Sequence, residues 1–302
     1  MIHGKKGAGE GQSSPAGSAD TMYRKPMTHE SVPAEQHASA PDTDWAVSAI
    51  ARYYDLDFGG VDDDLEMYGN LAAGGRVLEL GAGTGRIAAP LAEAGCDVIA
   101  IESNAAMREA GSERYRASGV RVVDQDMRRL DVAGESPFDL VICGLSTFCH
   151  LQARSDQLAT LEGIVRNLDS QGRAVFDLPA LTAEDWVEGA RAPLLEWTRE
   201  LASGRLVTKL ATLEAHPGSQ TQDVTYIYDE MDVDGAVERT VARFRLRHVF
   251  QFEMVGLLEA AGMRVTQIFG SYDLDPVEAG ERLIVLAERQ DEEPRGLGRG
   301  ER

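Results

Sequence analysis

Three glycines at alternate positions, Gly81, Gly83 and Gly85, follow Val77-Leu-Glu-Leu80 and precede an apolar run from Ile87 to Ala94. The first stretch reads as a buried parallel strand and the last as a helix. A glycine turn between such elements lets a ligand approach the backbone and aims the helix's free N–H groups at it. The chemistry this suits is the holding of an adenosine-bearing molecule at the carboxyl edge of an α/β sheet. The dinucleotide fingerprint is Gly-x-Gly-x-x-Gly; here the third glycine comes one residue too early for it. A nicotinamide-dependent oxidoreductase is thereby disfavoured.

The elements that must position this turn follow from hydrophobic rhythm. The pattern predicts strand 76–80, helix 84–94, strand 97–102, helix 104–117, strand 120–124, strand 138–143, helix 153–168 and strand 173–178. Strands separated by helices imply right-handed crossovers and a parallel sheet covered on both faces. Two further strands, 264–272 and 281–288, have no helix between them and read as a hairpin. Between the fifth strand and that hairpin, four extended stretches begin at Pro193, Arg205, Asp223 and Val237, and helix 250–262 follows them. Asp234-Gly235 is a two-residue hairpin signal between the last two stretches. An insertion after the fifth strand sits over the carboxyl edge, where ligands bind, and reads as a substrate lid.

The run Glu79-Leu-Gly-Ala-Gly-Thr-Gly85 resembles the first motif of class I S-adenosylmethionine (SAM) dependent methyltransferases. Four more landmarks carry the resemblance in register: Cys96-Asp-Val-Ile-Ala-Ile-Glu102, Val120-Arg-Val-Val-Asp-Gln-Asp-Met127, Phe138-Asp-Leu-Val-Ile-Cys-Gly-Leu-Ser-Thr-Phe-Cys-His150 and Gly172-Arg-Ala-Val-Phe-Asp-Leu-Pro179. The resemblance covers roughly residues 45 to 288. The implied fold is α/β, a Rossmann-like doubly wound seven-stranded sheet with an antiparallel last strand, plus a small antiparallel β lid inserted after the fifth strand. The implied segments are a disordered tail at 1–41, a SAM-binding core at 42–189, the lid at 190–249, the end of the core at 250–288 and a second tail at 289–302.

The resemblance also implies roles. Gly81, Ala82, Gly83 and Gly85 would cradle the cofactor, and Glu102, with Ser103 beside it, would hold both ribose hydroxyls through charge-assisted hydrogen bonds. Asp126 and Met127 would frame the adenine, and Gly144 would border the cofactor after the fourth strand. Glu79 would support the glycine turn or the SAM ammonium. Arg86 would pair with the SAM carboxylate, or is a surface arginine. Tyr53-Tyr-Asp-Leu-Asp-Phe-Gly-Gly resembles a segment that precedes the core in many small-molecule members. There Tyr54 would reach the methionine end or the acceptor and Tyr53 the acceptor, unless both tyrosines merely pack. Phe148 and His150 would lie between cofactor and acceptor. His150 is the candidate base, with a core or helix-capping histidine as the alternative. His248 reads as core packing. Tyr226, Tyr228 and Arg245 would contact the acceptor from the lid, an ordinary surface charge being the alternative for Arg245. No metal is required.

The expected activity is methyl transfer from SAM to an amine or hydroxyl of a small metabolite or natural product, leaving S-adenosylhomocysteine. A β lid of this kind is similar to that of aminosugar N-methyltransferases. The alternatives are an enzyme of this fold that uses SAM for other natural-product chemistry, and a non-catalytic SAM-binding regulator. Composition narrows the partners. The 302 residues carry a net charge of −20; each terminal segment (1–40 and 289–302) holds four basic and four acidic side chains, so the body holds the whole excess. Such a surface repels phosphate backbones, which excludes nucleic acid as the expected substrate. No apolar run approaches the ~18 residues of a membrane span, and the N-terminus lacks a signal peptide's apolar centre. The three cysteines, Cys96, Cys143 and Cys149, lack metal-ligand spacing and read as reduced thiols of a cytoplasmic protein. A homodimer is left open.

Overall fold

The computed structural model describes residues 43–60, 62–132, 134 and 137–290, without the side chains of 43–45 and 279. The segment expected as an N-terminal tail lies outside the described residues, as does the C-terminal one beyond Gln290. Helix α1 (Thr43–Ile50) passes through a 3-10 turn into α2 (Tyr54–Phe58), and α3 (Asp63–Ala72) leads into the core. The core follows as β1 (Arg76–Leu80), α4 (Ala88–Glu93), β2 (Asp97–Ile101), α5 (Ala105–Ala110), α6 (Ser112–Ser118), β3 (Arg121–Val123), β4 (Phe138–Cys143), α7 (Arg154–Asn167) and β5 (Leu168–Pro179). The inserted sheet comprises β6 (Gly189–Ala190), β7 (Leu194–Glu200), β8 (Leu206–His216), β9 (Thr221–Met231) and β10 (Val237–Arg247). Helix α8 (Gln251–Ala260) and strands β11 (Met263–Phe269) and β12 (Arg282–Arg289) complete the core.

The main sheet has the order β11-β12-β5-β4-β1-β2-β3. Strands β1 to β5 are parallel, whereas β12 runs antiparallel to both β5 and β11. The order reverses at β1, which has β2 on one side and β4 on the other, so the loops leaving β1 and β4 open side by side. That is where an open α/β sheet binds ligands. Strand β1 is buried on both faces: Val77 joins the layer of Tyr68, Ile87 and Ile142, while Leu78 and Leu80 join that of Phe138, Phe148 and Phe176. Burying each such leucine contributes about 1.5–3 kcal/mol. By alternation Glu79 turns to the Val77 side, toward α3 and α4.

Several boundaries differ from the sequence expectation for local reasons. Residues 84–87 form turns, so the helix expected from 84 starts at Ala88. The helix expected over 104–117 breaks at Gly111, where a Cβ would lie 2.4 Å from the Thr84 carbonyl oxygen. Strand β5 begins at Leu168, and Arg289, expected in the tail, pairs with Met263. The two-residue turn at Asp234-Gly235 is also longer than expected. Pairing of β9 with β10 stops at Met231 and Val237, leaving five residues. The Asp232 carboxylate accepts the N–H groups of Asp234 (3.0 Å) and Ala236 (2.9 Å), a local bond that outcompetes the tight turn.

Candidate functional site

The glycine turn depends on two close approaches. Gly81 (φ 65°) faces Thr147, whose Cγ2 would lie 2.4 Å from a Cβ, and Gly85 (φ 80°) faces the Tyr115 ring at 2.7 Å. The Tyr115 hydroxyl donates to the Gly83 carbonyl (2.9 Å), holding the turn from beneath. From β2's end, Glu102 accepts the Gly83 N–H (2.8 Å) on one oxygen and the Asn104 N–H (2.7 Å) on the other. Burial raises its pKa against the pull of these N–H groups. Ser103 is exposed beside it, and the Asn104 side chain caps α5 by accepting the Met107 N–H (3.1 Å).

A recess opens where the β1 and β4 loops meet, walled by Tyr54, Glu79, Gly81, Ala82, Arg86 and Ile87 on one side. Gly144, Leu145 and Thr147 form the other side. Glu79 is buried, and its Oε2 has no hydrogen-bond partner among the described residues. Burial pushes this carboxyl up to about 8, and the nearby Arg86 guanidinium restrains the rise. Arg86 is buried, not a surface residue, and lines the recess. Its guanidinium grips the fully buried Asp64 with two nitrogens, one at 2.9 Å.

Helix α2 ties three parts of the molecule together. Tyr54 lines the recess, its hydroxyl 3.9 Å from where a Gly83 Cβ would stand. Asp55 accepts from the Thr84 hydroxyl (2.8 Å) and from Arg114 (2.8 Å), which latches α2 to the glycine turn. Asp57 accepts from Lys209 (2.9 Å), the Trp197 indole (2.7 Å) and the Tyr228 hydroxyl (2.8 Å), which latches α2 to the lid. Lys209 is almost fully buried and also lies 3.8 Å above the Tyr226 ring.

The remaining expected residues divide. Asp126 caps a 3-10 turn by accepting the Arg128 N–H (2.9 Å), and ion pairing with the Arg128 side chain lowers its pKa. Met127 packs against the core. Phe148, expected between cofactor and acceptor, is fully buried edge-on to Phe176 at 5.6 Å between centroids. Tyr53 and Tyr228, expected to face an acceptor, stack on each other at 4.4 Å and are fully buried. The Tyr53 hydroxyl points to Glu230 (3.4 Å). Arg245 is bound through two nitrogens to Asp223, one of them at 2.6 Å. His150 stacks on Phe244 (5.8 Å), and burial lowers its pKa to about 4. Tyr226 packs edge-on against the same Phe244. His248 is buried against Trp186. One trio among the described residues, Glu214, His216 and Asp223, brings three potential metal-ligand atoms within 4.8 Å. Asp223 there is already engaged by Arg245 and His216, so the group is an ion-pair cluster.

Residues 77–172 match the family described as "Methyltransferase domain". The chain is 30% identical over 218 residues to the cypemycin N-terminal methyltransferase of a Streptomyces species, which covers 72% of this chain and 84% of that protein. The chain belongs to the class I SAM-dependent methyltransferases. The methyltransferase also shares its fold with two solved structures. One is the CcbJ methyltransferase of Streptomyces caelestis (TM-score 0.67, 22% identity, 81% of this chain and 98% of that one). The other is the sugar N-methyltransferase KedS8 of Streptoalloteichus sp ATCC 53650 (TM-score 0.63, 20% identity, 79% and 93%). The methyl donor is SAM. No helix among the described residues is long and apolar enough to cross a membrane.

Four residues around the recess escaped sequence reasoning. Asp64 falls in step with Met67, Tyr68 and Ala72 on the buried face of α3, and that periodicity was the available signal. Asp177 is an acid inside the apolar stretch Ala174-Val-Phe-Asp-Leu178, a similar signal. Asp57 and Tyr115 carried none, since each acts on a partner far away in sequence.

Proposed function

We propose that this methyltransferase transfers the SAM methyl group to an amine of a small metabolite or peptide natural product. The observation that carries this reading is the setting of His150, stacked on Phe244 and kept neutral by burial. Of the recess lining, Glu79 is a buried carboxyl and Arg86 is paired with the buried Asp64, so the lining presents no unbalanced cation. An α-amino group, with an ordinary pKa of about 8, reaches its nucleophilic form by losing one proton near neutral pH, without a strong base. A hydroxyl acceptor needs a stronger base than His150, whose pKa of about 4 leaves it neutral but weakly basic. The relative named for N-terminal methylation supports the same preference.

The residues present fit the donor. Glu79 offers a buried, unpartnered carboxylate oxygen to a cationic group, and Glu102 keeps free lone pairs for two ribose hydroxyls. Gly81 to Gly85 bring backbone close, Asp126 and Met127 border the adenine, and Tyr54 borders the methionine end. When bound, SAM supplies a methyl carbon activated on a sulfonium with a neutral thioether as leaving group. The chain's task is then alignment and exclusion of water. Tyr226, Phe244 and His150 form the acceptor-side wall under the lid.

Methyl-labelled SAM offered with amino sugars, short peptides with free or acetylated N-termini, and phenols tests this. The expected result is label in the free amines with matching S-adenosylhomocysteine. Label confined to hydroxyl acceptors overturns the amine assignment. SAM left unconsumed with every acceptor would point to the other chemistries of this fold or to a regulator.

A further inference from the structure

At the mouth of the recess the chain takes an uncommon path. Leu145 (φ 44°) and Ser146 (φ 63°) are the one pair of consecutive non-glycine residues in the left-handed region among the described residues. Such backbone persists only where its surroundings over-determine it, and it concentrates at functional sites. Here the determinant is Asp177, at the carboxyl end of β5. Its Oδ2 accepts the Leu145 N–H (3.1 Å), and its main-chain carbonyl accepts the Ser146 N–H (2.9 Å).

The Asp177 carboxylate is fully buried and held from three directions. Arg282 on β12 donates to Oδ1 (2.7 Å), the Tyr272 hydroxyl donates to Oδ2 (2.9 Å), and the Tyr68 hydroxyl of α3 approaches Oδ2 at 3.4 Å. On the same strands, Phe176, Leu178, Leu283 and Ile284 are buried apolar residues. A buried ion pair in such a setting stabilises less than apolar packing would. Folding alone does not account for it. What the pair does locally is fix the turn that joins Gly144 to Thr147, both of which, with Leu145, line the recess.

We propose that Asp177 is a positioning residue for methyl transfer, clamping the left-handed Leu145–Ser146 turn so that the recess wall between donor and acceptor keeps one shape. It acts through that turn and touches neither reactant. The proposal rests on the methyl-transfer reading above, and its test separates the two. Asp177→Asn, Tyr272→Phe and the double variant Asp177→Asn/Ser146→Gly are compared with wild type in three measurements. These are amide hydrogen exchange over 143–150, S-adenosylhomocysteine affinity by calorimetry, and kcat and KM with the fastest amine of the panel.

Asp177→Asn is expected to speed exchange in that segment about tenfold while β1 stays protected, and to leave S-adenosylhomocysteine affinity within about threefold. Its kcat should fall about 10- to 100-fold, the scale of a misplaced wall, and Tyr272→Phe should fall less. Glycine at 146 adopts φ > 0 unaided, so the double variant should recover part of the lost kcat. The proposal is overturned if Asp177→Asn lowers only the melting temperature, or if donor affinity falls in step with kcat. Unchanged exchange overturns it as well. Should Asp177→Asn not fold, Tyr272→Phe and Arg282→Lys are read by the same three criteria. If no amine turns over even with wild type, the amine reading fails, while exchange and donor affinity still decide whether the clamp exists.

Discussion

At the donor end, polar recognition comes from the backbone and from residues close in sequence. The Gly83 N–H meets Glu102 across 19 positions, Asn104 lies two residues beyond Glu102, and the turn's shape comes from glycines. At the lid, side chains do the holding across long separations: Asp57 joins Lys209, Trp197 and Tyr228 over 152, 140 and 171 positions. The donor end is therefore shaped by its backbone path together with a few side chains, Glu102 and Tyr115 foremost. The inserted sheet is seated on α2 by a few buried ionic and hydrogen-bonded contacts. Helix α2 belongs to both, since Asp55 serves the turn and Asp57 the lid.

The largest effect expected from this contrast lies in the lid seam. Asp57→Ala takes from Lys209 and the Tyr228 hydroxyl their shared acceptor and leaves Lys209 with Glu196 (2.8 Å) alone, which should cost up to about 3–5 kcal/mol, the usual scale for breaking a buried pair. Chemical denaturation measures it. If the two ends are separable, S-adenosylhomocysteine affinity of the folded fraction changes less than threefold or so. A parallel collapse of donor affinity would show that α2 couples the ends.

An effect of comparable ceiling, spread over about three pH units, belongs to the donor end. Glu79 titrates at about 8 when folded and near the ordinary 4.5 when unfolded, so the folded protein keeps a proton that the unfolded chain has lost. The ligand-free protein should therefore lose stability as pH rises from about 5 to 8, by at most about 1.4 kcal/mol per pH unit. Thermal melts of Glu79→Gln should show that slope flattened. His150 works in the opposite direction: with a folded pKa of about 4 it costs stability as pH falls from 6.5 toward 4.

The smallest effect expected is on turnover. If the acceptor is an amine, His150→Ala should lower kcat by less than about tenfold, through lost stacking on Phe244. Loss of a true general base would cost ~10²–10⁴-fold. Initial rates across pH 5 to 9 distinguish the two, since wild type should show no inflection near 6.5 from this residue.

What could be read in advance follows the same contrast. Strands 76–80 and 138–143 are observed with the expected limits, because continuous apolar runs bounded by glycine or a turn leave little choice of register. The glycine turn and Glu102 were legible as one local unit. Residues that meet only in three dimensions were not. Tyr53 and Tyr228 were expected to face an acceptor, and that each covers the other follows only from the fold. Arg86 was visible as a cation just past the turn, while its partner Asp64 lies 22 positions earlier on α3. Asp177 looked like one more strand residue until Arg282, Tyr272 and the Leu145–Ser146 turn stood around it.

Calorimetric titration of Glu102→Ala with SAM, beside wild type, tests most directly whether the donor end is built as described. Removing the carboxylate takes away the anchor of the Gly83 and Asn104 N–H groups and, on the proposed assignment, two charge-assisted hydrogen bonds to the ribose. Affinity should fall by about 2–4 kcal/mol, roughly 30- to 1,000-fold. An affinity equal to that of wild type would contradict the assignment of β2's end, and of the recess above it, to the methyl donor.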